Sequence, residues 1–295
     1  MKQLWRELPK ALRLTHWSKN LLVFVPLVAA HKLTEPGLIL YGLYAFVAFS
    51  LGASGIYVIN DLWDREEDRR HPVKRERPFA AGRLTARQGG GAVLVLLAGS
   101  VTMALLLLPA AFLLVLGLYL GSAVLYSLFL KRIVIVDLLV LTGFYLLRIY
   151  AGAVSTETPV SRWLLAFSLF FFLSLACMKR FADLLMIQQQ PATPRPHRGY
   201  HVEDLALLRR FGLASGYFSI LILALYVHSE AVTVLYARPA VLWATLPVLL
   251  YWLTRTWRQA HRGQMTDDPI VLAIKDPVNY IAGAAVAAVV LAAAL

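Results

Sequence analysis

The chain has 295 residues, of which 59% are hydrophobic and only 16% charged, and a formal net charge of +12. With a mean hydropathy of +0.64, this excludes an average soluble domain, in which about 25% of residues are charged. A single cysteine, Cys177, excludes an intrachain disulfide or a thiolate metal centre.

The apolar runs are continuous rather than alternating, which excludes an outer-membrane barrel and predicts an all-α integral membrane protein. The opening stretch, MKQLWRELPKALRLTHWSKN, has neither the compact apolar core nor the small-residue exit of a cleavable signal. It is expected to be a retained amphipathic lead-in over 1–20, with Trp5 and Trp17 as interfacial anchors. Spans are predicted at 21–35, 37–60, 88–108, 110–130, 133–154, 162–187, 205–228, 237–255 and 276–294, a bundle of nine helices in one domain over 1–295. Pro26 and the Pro36-Gly37 pair leave the first of these short, so a tilt or kink is expected there.

Lys and Arg test this count. Twenty-five of the 29 fall in the lead-in or in alternate connections, while Lys32, Arg162 and Arg238 lie on the other side and Arg148 lies within a span. The positive-inside rule then places the amino terminus in the cytoplasm and, with nine spans, Leu295 outside. A bacterial inner membrane is the expected location. This asymmetry accounts for most of the positive charge, so nucleic-acid binding is not needed to explain it.

The second span runs directly into NDLWDREEDRRHPVKRERPFAAG, residues 60–82. If the helix continues, Asn60, Asp64 and Asp68 fall at i, i+4 and i+8, with Asp61 three residues before Asp64, so oxygen ligands share one face. Carboxylates stacked in this way call for a cation. Mg2+ takes oxygen ligands and shares them with substrate phosphates, which His71, Lys74 and Arg77 are placed to hold. The two cytoplasmic loops, 61–87 and 180–204, follow the second and sixth spans, which suggests a duplicated four-helix unit. Lys179, Arg180 and Asp183 leave the membrane much as Asn60, Asp61 and Asp64 do, and Arg195, His197, Arg198 and Tyr200 follow them. Two-sided clamping of a diphosphate at the cytoplasmic end would result. Arg148, deep in an apolar span, is expected to face a polar cavity, because its same-helix candidate partner Asp137 lies eleven residues away, beyond about 16 Å. His16, His31, His228 and His261 are scattered and receive no role.

The pattern Asn60, Asp61, Asp64, Asp68 resembles the first aspartate-rich motif of the UbiA superfamily of membrane prenyltransferases, NDxxDxxxD. The continuation HPxKxxRPxAxG, given by His71, Pro72, Lys74, Arg77, Pro78, Ala80 and Gly82, is most similar to the decaprenyl-phosphate phosphoribosyltransferase branch, since quinone-pathway enzymes tend to have RTxxRP. RLTHWSKNLLVF at 13–24, YSLFLKRIVIVD at 126–137, LRIYAG at 147–152, KRFADL at 179–184 and RGY at 198–200 agree with it, and DDPIVLAIKD at 267–276 extends the likeness.

This resemblance implies Mg2+ on Asn60, Asp61, Asp64 and Asp68, with Asp61, Asp64, Asp68, Lys179 and Asp183 catalytic. It implies substrate contacts from Lys19, Asn20, Asn60, His71, Lys74, Arg77, Tyr126, Lys131, Arg148, Arg180, Arg198 and Tyr200. The implied reaction moves 5-phosphoribosyl from its diphosphate to a polyprenyl phosphate in the bilayer. Prenyl transfer from a polyprenyl diphosphate to an aromatic acceptor is the alternative, and a membrane carrier is a more distant one. The branch commonly reads KRYAE where this chain reads KRFAD, so Phe181 lacks a hydroxyl and Asp183 is one methylene short of Glu.

Overall fold

The structure, a computed structural model, describes residues 2–70, 74–189, 199–265 and 276–295, and the side chains from residue 6 onward. His71 and Arg198, with Arg195, His197 and nearly all of the 267–276 stretch, lie outside the described residues, as does the side chain of Trp5. The described residues contain helices and turns and no strand.

The helices in chain order are α1 (Lys2–Leu12), α2 (Val25–Ala29), α3 (Pro36–Trp63), α4 (Arg65–Arg70), α5 (Ala86–Leu107), α6 (Ala110–Leu128), α7 (Val136–Ser155), α8 (Arg162–Gln189), α9 (Leu205–His228), α10 (Thr245–His261) and α11 (Pro277–Ala294). Among the described residues, seven helical stretches are long and apolar enough to cross a membrane, built on α3, α5, α6, α7, α8, α9 and α11. The expected spans at 21–35 and 237–255 are not among them. The first winds as a 3₁₀-helix over Leu14–Phe24 that passes into the five-residue α2 with Pro26 in its first turn. The second opens as a 3₁₀-helix over Pro239–Ala244 before the 17-residue α10. Proline fits a helix start, where its missing N–H costs nothing, so in both stretches the α-helix begins late.

α1 has a buried and an exposed side. On α1, Glu7 and Ala11, four residues apart, are buried, while the Lys10 side chain is 51% exposed. Ala11 packs in a cluster with Val58 of α3 and with Phe79 and Leu84, which follow the charged segment. Thus the amino-terminal helix is seated on the helix that carries the first motif.

The chain divides into two compact units. The first holds the described residues of Met1–Val140, Leu147–Pro159 and Pro191–Gly199, and the second holds those of Leu141–Leu146, Val160–Gln190 and Tyr200–Leu295. In the first, α3 packs along α5; in the second, α8 packs along α9. The apolar stretches of α3 and α8 are 61% and 56% buried, against 17% for α5 and 6% for α11. Each unit is therefore built round one well-buried helix whose end carries a charged motif. The outward leucines of α5 and α6, such as Leu94, Leu106 and Leu114, suit contact with lipid tails.

Candidate active site

The helix continues almost without interruption through the first motif. α3 ends at Trp63 and α4 begins at Arg65, with Asp64 between them. The Asp64 N–H donates to the Asn60 carbonyl at 2.9 Å and the Asp68 N–H to the Asp64 carbonyl at 2.8 Å, so the i, i+4, i+8 ladder holds. Asp61 and Asp68 are each only 3% exposed. Burial pushes the Asp68 carboxyl above its ordinary value, against the opposing pull of the Arg77 guanidinium.

Each aspartate has a basic partner from another segment. Arg77 Nη1 donates to Asp61 Oδ1 at 3.1 Å and to Asp68 Oδ2 at 2.7 Å, joining two carboxylates through one nitrogen. Arg13 Nη2 donates to the same Asp61 Oδ1 at 2.5 Å. Lys131 Nζ bonds both oxygens of Asp64, at 2.7 and 2.8 Å. Lys74 lies in the short 3₁₀ turn Lys74–Glu76 just before Arg77 and adds to the positive field at Asp68.

A second polar cluster lies deeper in the same unit. Arg148, 4% exposed, donates from Nε to Asn20 Oδ1 at 2.8 Å and from Nη2 to the Tyr119 hydroxyl at 3.1 Å. It also lies over the rings of Tyr119 and Phe49 at 4.9 and 5.5 Å. Asn20 in turn donates to Ser50 Oγ at 2.9 Å. The polar surroundings expected for Arg148 are thus side chains of three neighbouring segments. Lys19 is buried beside Asn20. Tyr126, on the preceding helix, donates to Asp137 at 2.7 Å. Trp17, expected as an interfacial anchor, donates to Ser54 Oγ of α3 at 3.0 Å.

Two glycines fix approaches around this unit. A Cβ on Gly152, in the LRIYAG stretch, would overlap the backbone carbonyl of Val23, so α7 can meet the first 3₁₀-helix only with glycine there. Gly199 has a left-handed backbone, with φ +69°, and a Cβ on it would lie 2.7 Å from the Arg132 carbonyl oxygen. Gly199 therefore lies against the turn that carries Lys131.

In the second unit, Arg180 is 2% exposed and donates to Asp183 Oδ2 at 2.9 Å, one turn further along α8. Lys179 is half-buried and Tyr200 is buried. Phe181 is 3% exposed, edge-on to Trp257 at 5.9 Å and stacked on His261 at 6.2 Å. The residue that departs from the branch pattern is a core residue here.

The model of the UbiA prenyltransferase family matches residues 21–275. The chain belongs to this family. It is 40% identical over 277 residues to an uncharacterized protein, y4nM, of Sinorhizobium fredii, covering 94% of this chain and 54% of that one. It is 37% identical to the nodulation protein NoeC of Azorhizobium caulinodans, over 90% of this chain and 86% of that one. It is 36% identical to a decaprenyl-phosphate phosphoribosyltransferase of Mycobacterium tuberculosis, over 63% of each chain. The chain thus spans little more than half the length of the Sinorhizobium relative. Among solved structures, a UbiA homolog from Archaeoglobus fulgidus bound to DMAPP and Mg2+ aligns with a TM-score of 0.71 at 15% identity, over 96% of this chain and 99% of that one. This likeness establishes the UbiA fold.

Among the described residues, no three His, Cys, Asp or Glu side chains stand close enough to hold a metal ion by themselves. The donor set is nevertheless of the type a hard cation takes, because its members are carboxylate oxygens and those of Asp61 and Asp68 already converge on one positive nitrogen. Three residues of these two polar clusters are not singled out by the sequence. Arg13 reads there as one of many positive-inside charges, and Tyr119 and Ser50 read as ordinary residues of apolar spans. The RLTHWSKN stretch was the only pointer to Arg13.

Proposed function

We propose that this UbiA-family protein transfers 5-phosphoribosyl from phosphoribosyl diphosphate to a polyprenyl phosphate. The observation that carries the reading is the joining of the motif's two halves: Arg77, from the HPxKxxRP continuation, binds both Asp61 and Asp68. Lys74, which the RTxxRP pattern lacks, adds to the positive field at Asp68, so the basic continuation and the acidic half of the motif lie together. The 36% identity to a phosphoribosyltransferase supports the same choice.

Asn60, Asp61, Asp64 and Asp68 would hold Mg2+, which neutralises charge on a diphosphate leaving group. Lys74, Arg77 and Lys131, with His71 and Arg198, would bind the donor's phosphates. Lys179, Arg180, Asp183 and Tyr200 would contribute from the second loop. In the reaction the C1–O bond to diphosphate breaks and a bond from C1 to an acceptor phosphate oxygen forms. The acceptor is already an anion near neutral pH, so positioning and charge stabilisation suffice and no strong base is needed. Lys19, with the Asn20, Arg148 and Tyr126 groups beneath the motif, would meet the acceptor's phosphate end.

The site would face the cytoplasm, with the amino terminus on that side. Nine crossings remain geometrically possible. The eleven 3₁₀ and five α residues from Leu14 to Ala29 extend roughly 30 Å at about 2.0 and 1.5 Å per residue. That matches a hydrocarbon core of about 30 Å.

A second reading, prenyl transfer to an aromatic acceptor, draws on the DMAPP and Mg2+ named for the Archaeoglobus structure. One experiment separates the two. Purified protein in lipid is offered labelled phosphoribosyl diphosphate with polyprenyl phosphate and, separately, prenyl diphosphate with aromatic acids. A phosphoribosylated lipid is expected. A prenylated aromatic without it would overturn the proposal.

A further inference from the structure

Arg13 occupies an unusual place for a residue in a charged lead-in. Its backbone is left-handed, with φ 51° and ψ 52°, at the start of the Leu14–Phe24 3₁₀-helix. A non-glycine residue in that region is held against its own preference by its surroundings. Those surroundings are specific. Its guanidinium lies 4.9 Å over the Tyr57 ring and donates to Asp61 Oδ1, the oxygen that Arg77 also binds. The α1 helix seats it through Ala11 in the Val58, Phe79 and Leu84 cluster and through the Glu7 to Arg83 ion pair at 3.1 Å.

With Arg13 included, three aspartates meet three cations. Asp61, Asp64 and Asp68 are matched by Arg13, Arg77 and Lys131. A divalent cation entering beside Asp61 meets a guanidinium already there, and the two positive charges repel. A diphosphate brought with that cation offers the guanidinium a second anion of matching geometry.

We infer that Arg13 is a donor-binding residue that acts by exchange: in the donor-free protein it neutralises Asp61, and when cation and diphosphate bind together it passes to the diphosphate. The exchange makes the cation and the donor bind cooperatively, because each relieves the charge that the other would leave unmatched. It rests on the metal and diphosphate reading proposed for residues 60–82.

The test uses Mn2+ as the probe, its free concentration followed by its paramagnetic signal, on purified full-length protein without donor. Arg13→Gly removes the side chain and suits the left-handed backbone, while Arg77 still pairs Asp61; a thermal melt checks that it folds. Arg13→Lys keeps the charge without the planar fork. The expected result is donor-free Mn2+ binding tightened about 5- to 10-fold in Arg13→Gly, with the KM for phosphoribosyl diphosphate raised by a similar factor and Arg13→Lys in between. Merely structural loss would weaken both. Unchanged or weakened Mn2+ binding in Arg13→Gly, or an unchanged donor KM, would overturn the exchange. Absence of Mn2+ binding in the parent, at concentrations that saturate turnover, would instead overturn the metal reading beneath it.

Discussion

The ends of α3 and α8 carry similar residues in different settings. At α3, Asp61, Asp64 and Asp68 are held by Arg13, Arg77 and Lys131, partners 9 to 67 residues away. At α8, Asp183 is held by Arg180, three residues back on the same helix, and its side chain is 43% exposed. Burying a carboxylate with its cation is costly, and such pairs contribute little to net stability compared with apolar packing. A pair one turn apart whose acid faces water avoids part of that cost, although its cation, Arg180, is buried. The first arrangement is therefore an expensive one, drawing four segments of the chain together round three acids. This expense is understandable if the acids must be fixed in place before substrate arrives. The second motif has only its basic member buried, leaving the acid within reach of water.

The largest contrast is expected in turnover. Asp64→Asn should lower Mg2+-dependent transfer at least about 100-fold, the scale seen when a positioned electrostatic group is lost from an active site. Asp183→Asn should lower it by about 10-fold or less. Initial rates over a Mg2+ titration check this, with membrane insertion unchanged in both variants. Equal losses would mean that the two motifs share the chemistry evenly.

Stability should differ in the same sense. Arg77→Ala leaves two buried carboxylates without their common cation and should destabilise by about 2–4 kcal/mol. Asp183→Ala takes one partner from the buried Arg180 but removes an acid that water already reaches, so it should destabilise less, by about 1–2 kcal/mol. Unfolding in detergent measures both. A smaller effect, about 1 kcal/mol of destabilisation, is expected for Phe181→Tyr, because its hydroxyl would be buried near Trp257 and His261. Turnover should not rise with it. A several-fold gain would show that the branch's hydroxyl has a role the second unit can still use.

The difference between the two motifs also marks what the sequence could reveal. The long apolar helices follow from composition and run length, and the shared face of Asn60, Asp64 and Asp68 follows from helical period. The Arg180 to Asp183 pair lies at a spacing that helix geometry makes legible. By contrast, Arg13 meets Asp61 across 48 residues, Lys131 meets Asp64 across 67, and Arg148 meets Asn20 across 128. No local period encodes such pairings. Arg13 was hidden further by the surplus of topogenic charge around it, and the 3₁₀ winding of residues 14–24 by its apolar composition, which reads equally well as α-helix.

The smallest effect is in pH dependence, and it isolates burial from pairing within the first motif. The Asp68 carboxyl is raised above its ordinary value because burial outweighs the pull of Arg77. Below that ordinary value both folded and unfolded chains hold the proton, and the group does not influence stability. As pH rises through the raised native value, the unfolded chain has already released its proton while the folded chain must place a charge in a buried site, so stability falls. Asp68→Asn removes this term. It should leave thermal stability at pH 7 unchanged or higher by less than about 1 kcal/mol, with the gap closing toward pH 4, while transfer falls. A variant less stable than the parent at pH 7 and matching it at pH 4 would mean that the Arg77 pair outweighs burial. The first motif would then resemble the second in being stabilised by its ion pair.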